Sequence, residues 1–265
     1  MSPGESRPAV LRAEGLTKRF GALVAVDHVD YTLREAEVAG IIGANGAGKT
    51  TLFNLLTGYH MPDEGKVLYE GRDITRSTPQ ERVALGMMRT FQLTSTFDNL
   101  SVVDNLVLTY FRASRRTSLV QLLGNTCRRH RDHERIVRSL DDFDLRQVRD
   151  REVRHLSLGE KRRLEIAMAV LAGPKVLFLD EPLAGLAESE IRSILEILRR
   201  HAGNQSILMV EHKISHVEHF LERLTVMHEG RIIADGAFEE TLAHPEVRRS
   251  YWQIQDTAAP SARTT

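Results

Sequence analysis

Gly43-Ala44-Asn45-Gly46-Ala47-Gly48-Lys49-Thr50-Thr51 decides how the rest of the chain is read. Its spacing is G-x-x-x-x-G-K-T. Ahead of it, Val38-Ala39-Gly40-Ile41-Ile42 is apolar and branched, as suits a buried parallel strand. Behind it, Leu52, Leu55 and Leu56 share one helical face. Strand, glycine loop and helix in that order make a phosphate-binding unit. The glycines let the loop curl so that its N–H groups point inward at an anion. The helix that starts there adds its positive end. On this reading Gly43, Ala44, Asn45, Gly46, Ala47 and Gly48, with Thr51 behind them, form a phosphate cradle. Lys49 reaches the β and γ phosphates, and Thr50 offers its hydroxyl to Mg²⁺. The bland alternative is an accidental glycine loop, and the flanking strand and helix weigh against it.

The 265 residues suffice for one large α/β domain or a core with a smaller lobe. Lys and Arg number 36, as do Asp and Glu, so no global charge draws the chain to nucleic acid or an anionic membrane. Cys127 stands alone, which excludes an intrachain disulfide framework and fits a reducing compartment. The first residues lack the apolar core of a secretory signal, and no apolar run is long enough to span a bilayer. The expectation is a soluble, cytosolic protein. It has one domain over about 10–255 and loose tails at 1–9 and 256–265.

Val10 to Leu16 and Val29 to Leu33 read as strands, with Phe20 on a turn between them. Met61 to Gly65 reads as a turn, and Lys66 to Ile74 as a hairpin turning at Gly71-Arg72. Pro79 to Leu85 starts like a helix capped by Thr78. Met88 to Gln92 is a short strand. From Leu100 to about Asp150 the spacing turns helical, an insertion whose fuller extent is about 93–165. Its middle is basic, with Arg112, Arg115, Arg116, Arg128, Arg129, Arg131, Arg135 and Arg138. With few aromatics interleaved and Asp141, Asp142 and Asp144 following, a solvated helix face fits better than a nucleic-acid patch. A contact with a partner's acidic loop or with lipid headgroups stays open. Lys161 to Leu171 reads as a helix with Leu164, Ala167, Met168 and Leu171 on one face. Glu188 to Arg200 is a second helix, and Leu224 to Ala234 a hairpin around Glu229-Gly230.

Phosphoryl transfer to water needs a cradle, a metal, a group to position or deprotonate water, and a γ-phosphate contact. Val176-Leu177-Phe178-Leu179 is a buried strand that delivers Asp180 and Glu181 at its carboxyl end, where open α/β sheets bind ligands. Asp180 is placed to hold Mg²⁺, and Glu181 to take a proton from water. Gln92 ends the Met88 strand and could reach the metal or the water. Ile207 to Val210 delivers Glu211 and His212, and His212 could hydrogen-bond the γ-phosphate.

Taken together, these residues resemble the ATP-binding subunit of an ABC transporter, over about Val10 to Trp252. The resemblance implies a P-loop NTPase core with an N-terminal antiparallel β-subdomain and an inserted α-helical subdomain. It implies ATP and Mg²⁺ as cofactors, with Phe20 stacking on adenine and Val26 packing nearby. Gln92 becomes the glutamine loop, Asp180 and Glu181 the metal-binding aspartate and catalytic glutamate, and His212 the switch histidine. Leu156-Ser157-Leu158-Gly159-Glu160 stands where the family has L-S-G-G-Q. There Ser157 and Gly159 would complete the ATP site of a second copy in a head-to-tail dimer, their amides at the end of a helix from Glu160 onward. Leu158 and Glu160 depart from that motif, and Ala187 stands where most of the family has aspartate.

Arg163 to Ala167, Asp180 to Leu186, Val210 to Lys213 and Pro245 to Tyr251 are similar to the ATPases of branched-chain amino-acid importers, a branch that also takes urea and short amides. The partners so implied are transmembrane permease subunits and a second ATPase, a related heterologous chain or a second copy of this one. A solute-binding protein outside the cell acts indirectly, and no nucleic acid is involved. The place implied is the cytoplasmic face of the plasma membrane. A lipid or lipopolysaccharide export ATPase is the alternative, but that branch lacks the long basic insertion. A soluble ABC ATPase acting on ribosomes or DNA would usually carry two cassettes in one chain, and only one is present.

Overall fold

The structure is a computed structural model and describes residues 7–90, 96–113, 130–212 and 214–249. The chain forms two compact units, residues 1–85 with 206–265, and residues 86–205. The first unit begins with β1 (Ala9–Phe20), β2 (Leu23–Arg34), β3 (Val38–Gly43), α1 (Lys49–Thr57), β4 (Glu64–Tyr69), β5 (Arg72–Asp73) and α2 (Pro79–Ala84). The second contains β6 (Met87–Thr90), α3 (Val102–Ala113), α4 (Glu134–Asp142), α5 (Leu158–Leu171), β7 (Val176–Asp180) and α6 (Glu188–His201). The first resumes with β8 (Ser206–Val210), α7 (Ile214–Val217), β9 (Arg223–His228), β10 (Arg231–Ala237), α8 (Phe238–Ala243) and α9 (Pro245–Val247).

In the first unit an antiparallel sheet runs in the order β2-β1-β4-β5. Beside it β3 lies between β8 and β9, parallel to both, and β10 pairs antiparallel with β9. Every residue of β3 and β8 is buried, which is why both read as unbroken apolar runs. Leu52, Phe53, Leu55 and Leu56 of α1 are buried too. The mixed α/β architecture, a phosphate-loop core with an antiparallel β-subdomain, agrees with the expected fold class. In the second unit β6 and β7 pair in parallel, Met87 opposite Val176 and Thr90 opposite Leu179. Val103, Leu106 and Val107 of α3 and Leu164, Ile166, Ala167 and Leu171 of α5 are buried in that unit's core.

Several local expectations change. β1 and β2 are longer than their apolar cores and meet in a two-residue turn at Gly21-Ala22, so Phe20 ends a strand instead of lying on the turn. The next hairpin turns at Glu70-Gly71, with Arg72 already paired to Tyr69. Both turn residues have positive φ, 49° and 78°, as a two-residue turn matched to strand twist requires. Glu64 and Gly65, read as turn, open β4. Arg7 and Pro8, expected in the loose N-terminal tail, have backbone and side-chain partners. Arg7 donates to the Ala36 carbonyl at 2.8 Å, and the Pro8 carbonyl accepts from Glu35 N–H at 2.9 Å. Helix α2 behaves as read, with Thr78 and Glu81 closing a reciprocal capping box. Helix α5 starts three residues before Lys161, and the same device explains it. Ser157 Oγ accepts from Glu160 N–H at 3.2 Å, and the Glu160 carboxylate accepts from Ser157 N–H at 2.7 Å.

Candidate functional site

The phosphate loop leaves the carboxyl end of β3 and closes on α1. Gly46 and Gly48 have φ of 82° and 97°, the left-handed region that favours glycine. A Cβ on Gly48 would run into the Ala25 carbonyl, and one on Gly43 into the Met227 carbonyl. The loop is braced from the turn between β9 and β10. Gly230 N–H donates to Ala47 O at 3.0 Å, and Gly230 O accepts from Asp27 N–H at 2.9 Å. Arg231 in turn donates to the Asp27 carboxylate at 2.6 and 2.8 Å. Lys49 is buried, and its ammonium donates to Gly43 O at 2.8 Å and Ala44 O at 3.0 Å. Thr50, next along, is exposed.

His212 follows the carboxyl end of β8, the strand beside β3, with Ile41 opposite Val210. It is exposed, while Glu211 before it is buried and donates its N–H to Ile41 O at 3.3 Å. Loop and histidine thus share one edge of one sheet. Phe20, 46% exposed, packs edge-on against His60 with ring centroids 5.5 Å apart. The Lys18 ammonium lies 5.7 Å from the Phe20 centroid and pairs with Asp63 at 2.9 Å. Val26, expected to pack near the adenine site, is fully buried on β2. His60 was not legible, because its ring meets Phe20 only once β1 and the segment after α1 have folded together.

In the second unit Asp180 ends β7, and its side chain is 4% exposed. Its Oδ2 accepts from Arg89 Nη2 at 2.6 Å. Arg89 lies on β6, opposite Phe178, and the sequence reading did not single it out. The available signal was a charged residue inside a short, mostly buried strand. Glu181 adopts φ of 46°, left-handed for a residue with a side chain, so the chain turns sharply away from the strand. Gln92 lies outside the described residues.

Ser157 and Gly159 sit at the start of α5, and Ser157 is its cap. Glu160 therefore has a structural account, the capping box just described. Leu158 is 52% exposed and lies over Gly185, where a Cβ would come within 3.1 Å of Leu158 Cδ2. A Cβ on Gly159 would meet the Glu190 carboxylate, whose other oxygen accepts from Ala187 N–H at 3.0 Å. Gly159 thus leaves room for Glu190 to hold the start of α6, a contact the sequence does not reveal. Of the basic insertion, Arg115, Arg116, Arg128 and Arg129 lie outside the described residues. Arg131 pairs with Asp104 at 2.6 Å, Arg138 with Glu134 at 2.8 Å, and Arg135 donates to Leu171 O at 3.1 Å. These partners favour the solvated, internally paired helix face.

A triphosphate fits this loop: Gly46 and Gly48 permit the left-handed curl of an anion cradle, and the lysine bonds carbonyls that phosphate oxygens can replace. Thr50 in the first unit and Asp180 in the second each carry hard oxygens of the kind Mg²⁺ prefers. No described helix is long and apolar enough to cross a membrane.

Residues 26–184 match the sequence pattern of the ABC transporter family. The chain is 35% identical to the high-affinity branched-chain amino acid transport ATP-binding protein LivG of Salmonella typhimurium, over 91% of this chain and 97% of that one. It is 34% identical to BraF of Pseudomonas aeruginosa, a protein with the same description, over 93% of this chain and 98% of that one. A structure of the ADP conformation of an ATP-binding cassette of an ABC transporter superposes with a TM-score of 0.78 at 31% identity, over 92% of this chain and 99% of that one. The chain therefore belongs to the ABC transporter family, as one of its ATP-binding cassettes.

Proposed function

We propose that this cassette hydrolyses ATP to drive import of a branched-chain amino acid, urea and short amides being the related cargo. The similarity to LivG and BraF over nearly the whole chain carries this reading. It also favours an importer over a lipid exporter. Two membrane permeases would form the pathway. A second, related cassette would complete the dimer at the cytoplasmic face, and a solute-binding protein would deliver cargo from outside.

In this scheme Gly43 to Thr51 wrap the phosphates, and Lys49 exchanges its two loop carbonyls for phosphate oxygens. Phe20 stacks on adenine. Thr50, Asp180 and Gln92 would hold Mg²⁺, which when bound would neutralise charge on the phosphates. Among the described residues no three His, Cys, Asp or Glu side chains converge. Most ligands of such a metal would come from phosphate and water, the usual way Mg²⁺ is held. Glu181 takes the proton of the attacking water, and His212 donates to a γ-phosphate oxygen. Ser157 and Gly159, at the positive end of α5, act on the nucleotide of the other cassette.

The test mixes two disabled cassettes. Lys49→Ala removes charge-assisted phosphate contacts and should weaken ATP binding roughly 10- to 100-fold. Ser157→Arg should leave binding by the single chain intact and block dimer-dependent hydrolysis. Mixed, the two variants should recover part of the wild-type turnover, because one composite site is then intact. Unchanged ATP affinity in Lys49→Ala would refute the cradle assignment, and no recovery on mixing would argue against a site shared between two copies of this chain, or would mean that both sites must fire. Uptake of radiolabelled leucine by membranes carrying the whole transporter, set against urea and acetamide, tests the cargo class.

A further inference from the structure

The contact between Arg89 and Asp180 has no counterpart in the scheme above. Each side chain sits on one of two adjacent parallel strands, and both are largely buried, 12% and 4% exposed. At 2.6 Å this is a short, charge-assisted bond. A buried ion pair of this kind holds its carboxylate in one rotamer and supplies its counter-charge. We infer that Arg89 is a positioning residue that holds Asp180 ready and competes with the divalent cation for it, so that it sets the metal affinity of the nucleotide complex. The inference rests on the reading of Asp180 as a Mg²⁺-binding residue.

The physical argument is one of two cations and one carboxylate. With Arg89 on Oδ2, Asp180 is neutralised without metal, and the strand end tolerates metal-free periods between turnovers. A divalent ion arriving at the same carboxylate meets a fixed positive charge a few ångströms away, and like charges at that range lower affinity. A neutral side chain at position 89 removes the repulsion and leaves a buried carboxylate in need of a cation. Metal then binds more tightly, and the metal-free protein is less stable. A purely structural arginine would give the second effect without the first.

The test uses full-length protein with saturating ADP and Mn²⁺ as the probe, free Mn²⁺ being read by electron paramagnetic resonance. Arg89→Gln should bind Mn²⁺ roughly tenfold more tightly than wild type. Its melting temperature without metal should fall, and Mn²⁺ with ADP should restore it. Arg89→Lys keeps the charge and should return Mn²⁺ affinity to within about twofold of wild type. Unchanged or weaker Mn²⁺ binding in Arg89→Gln overturns the inference. Should that variant not fold, a tenfold change in Arg89→Lys overturns it as well. Asp180→Asn separates the underlying reading. If it leaves Mn²⁺ affinity unchanged, Asp180 is not a metal-binding residue; if it weakens binding, the Arg89 variants alone decide.

Discussion

Glu181→Gln is expected to bind ATP as wild type does and to hydrolyse it about 10²- to 10³-fold more slowly. Glutamine fills the same space and keeps the hydrogen-bonding reach, but it cannot accept the proton of an attacking water. The backbone argues for a positional role. Glu181 sits at φ of 46° directly after a wholly buried strand. A left-handed residue with a side chain costs about 1–2 kcal/mol, a strain that persists where surrounding structure enforces it and that clusters at functional sites. Glutamine inherits the same backbone, so folding and the phosphate loop are left alone and the loss appears in turnover. With hydrolysis stopped, ATP should hold two cassettes together, visible as an ATP-dependent dimer on size exclusion that Lys49→Ala does not form. Phosphate release at saturating ATP measures the rate. Turnover at the wild-type level would remove Glu181 from the role of base.

Much of this was legible because the family's chemistry sits on local patterns. β3, β7 and β8 are buried on both faces, so they read as continuous apolar runs, and at their carboxyl ends they deliver the glycine loop, Asp180, and Glu211 with His212. The phosphate loop carries its own spacing. What was not legible depends on partners distant in sequence. Arg89 and Asp180 are 91 positions apart, and no periodicity links them. His60 matters only through a ring contact with Phe20. The start of α5 is a different failure. Its S-x-x-E capping box lay within four residues, but Gly159 is a poor helix former and masked the cap. Glu70 at the hairpin turn shows the same weakness: a glutamate at positive φ is disfavoured locally and is set by the pairing of β4 with β5.

Arg82→Ala is expected to destabilise the protein by about 3–5 kcal/mol. The residue lies on the short helix α2, and it is 1% exposed. No carboxylate is among its bonded partners; instead its guanidinium reaches five backbone carbonyls. It donates to Leu55 O at 2.8 Å, Leu56 O at 2.7 Å and Ile74 O at 2.9 Å, and more weakly to Ser77 O at 3.2 Å and Thr75 O at 3.3 Å. Leu55 and Leu56 belong to the last turn of α1, where helix carbonyls run short of partners; Leu55 O also accepts from Gly58 N–H at 3.3 Å. The cation also sits at the negative end of that helix. Gly58, which caps α1 at φ of 83°, leaves space for the guanidinium, since a Cβ there would lie 2.8 Å from Arg82 Nε. Burial pushes the Arg82 pKa down to about 10, still far above neutrality, so the charge is present throughout the physiological range. Alanine would take the side-chain donor from Leu56 O and a second donor from Leu55 O and Ile74 O, which keep Gly58 N–H and Ser77 N–H, and a buried carbonyl left unsatisfied costs about 1–3 kcal/mol. Lysine keeps the charge but has a single nitrogen with three donors, so Arg82→Lys should lose less than alanine and more than a surface substitution. In a chain of this size about 3 kcal/mol lowers the melting temperature by roughly 6–12 °C. Because α1 carries the phosphate loop at its other end, saturating ATP should recover part of that loss by mass action. A melting temperature within a degree of wild type for Arg82→Ala would mean that water satisfies those carbonyls and that the guanidinium does not hold α1 in place.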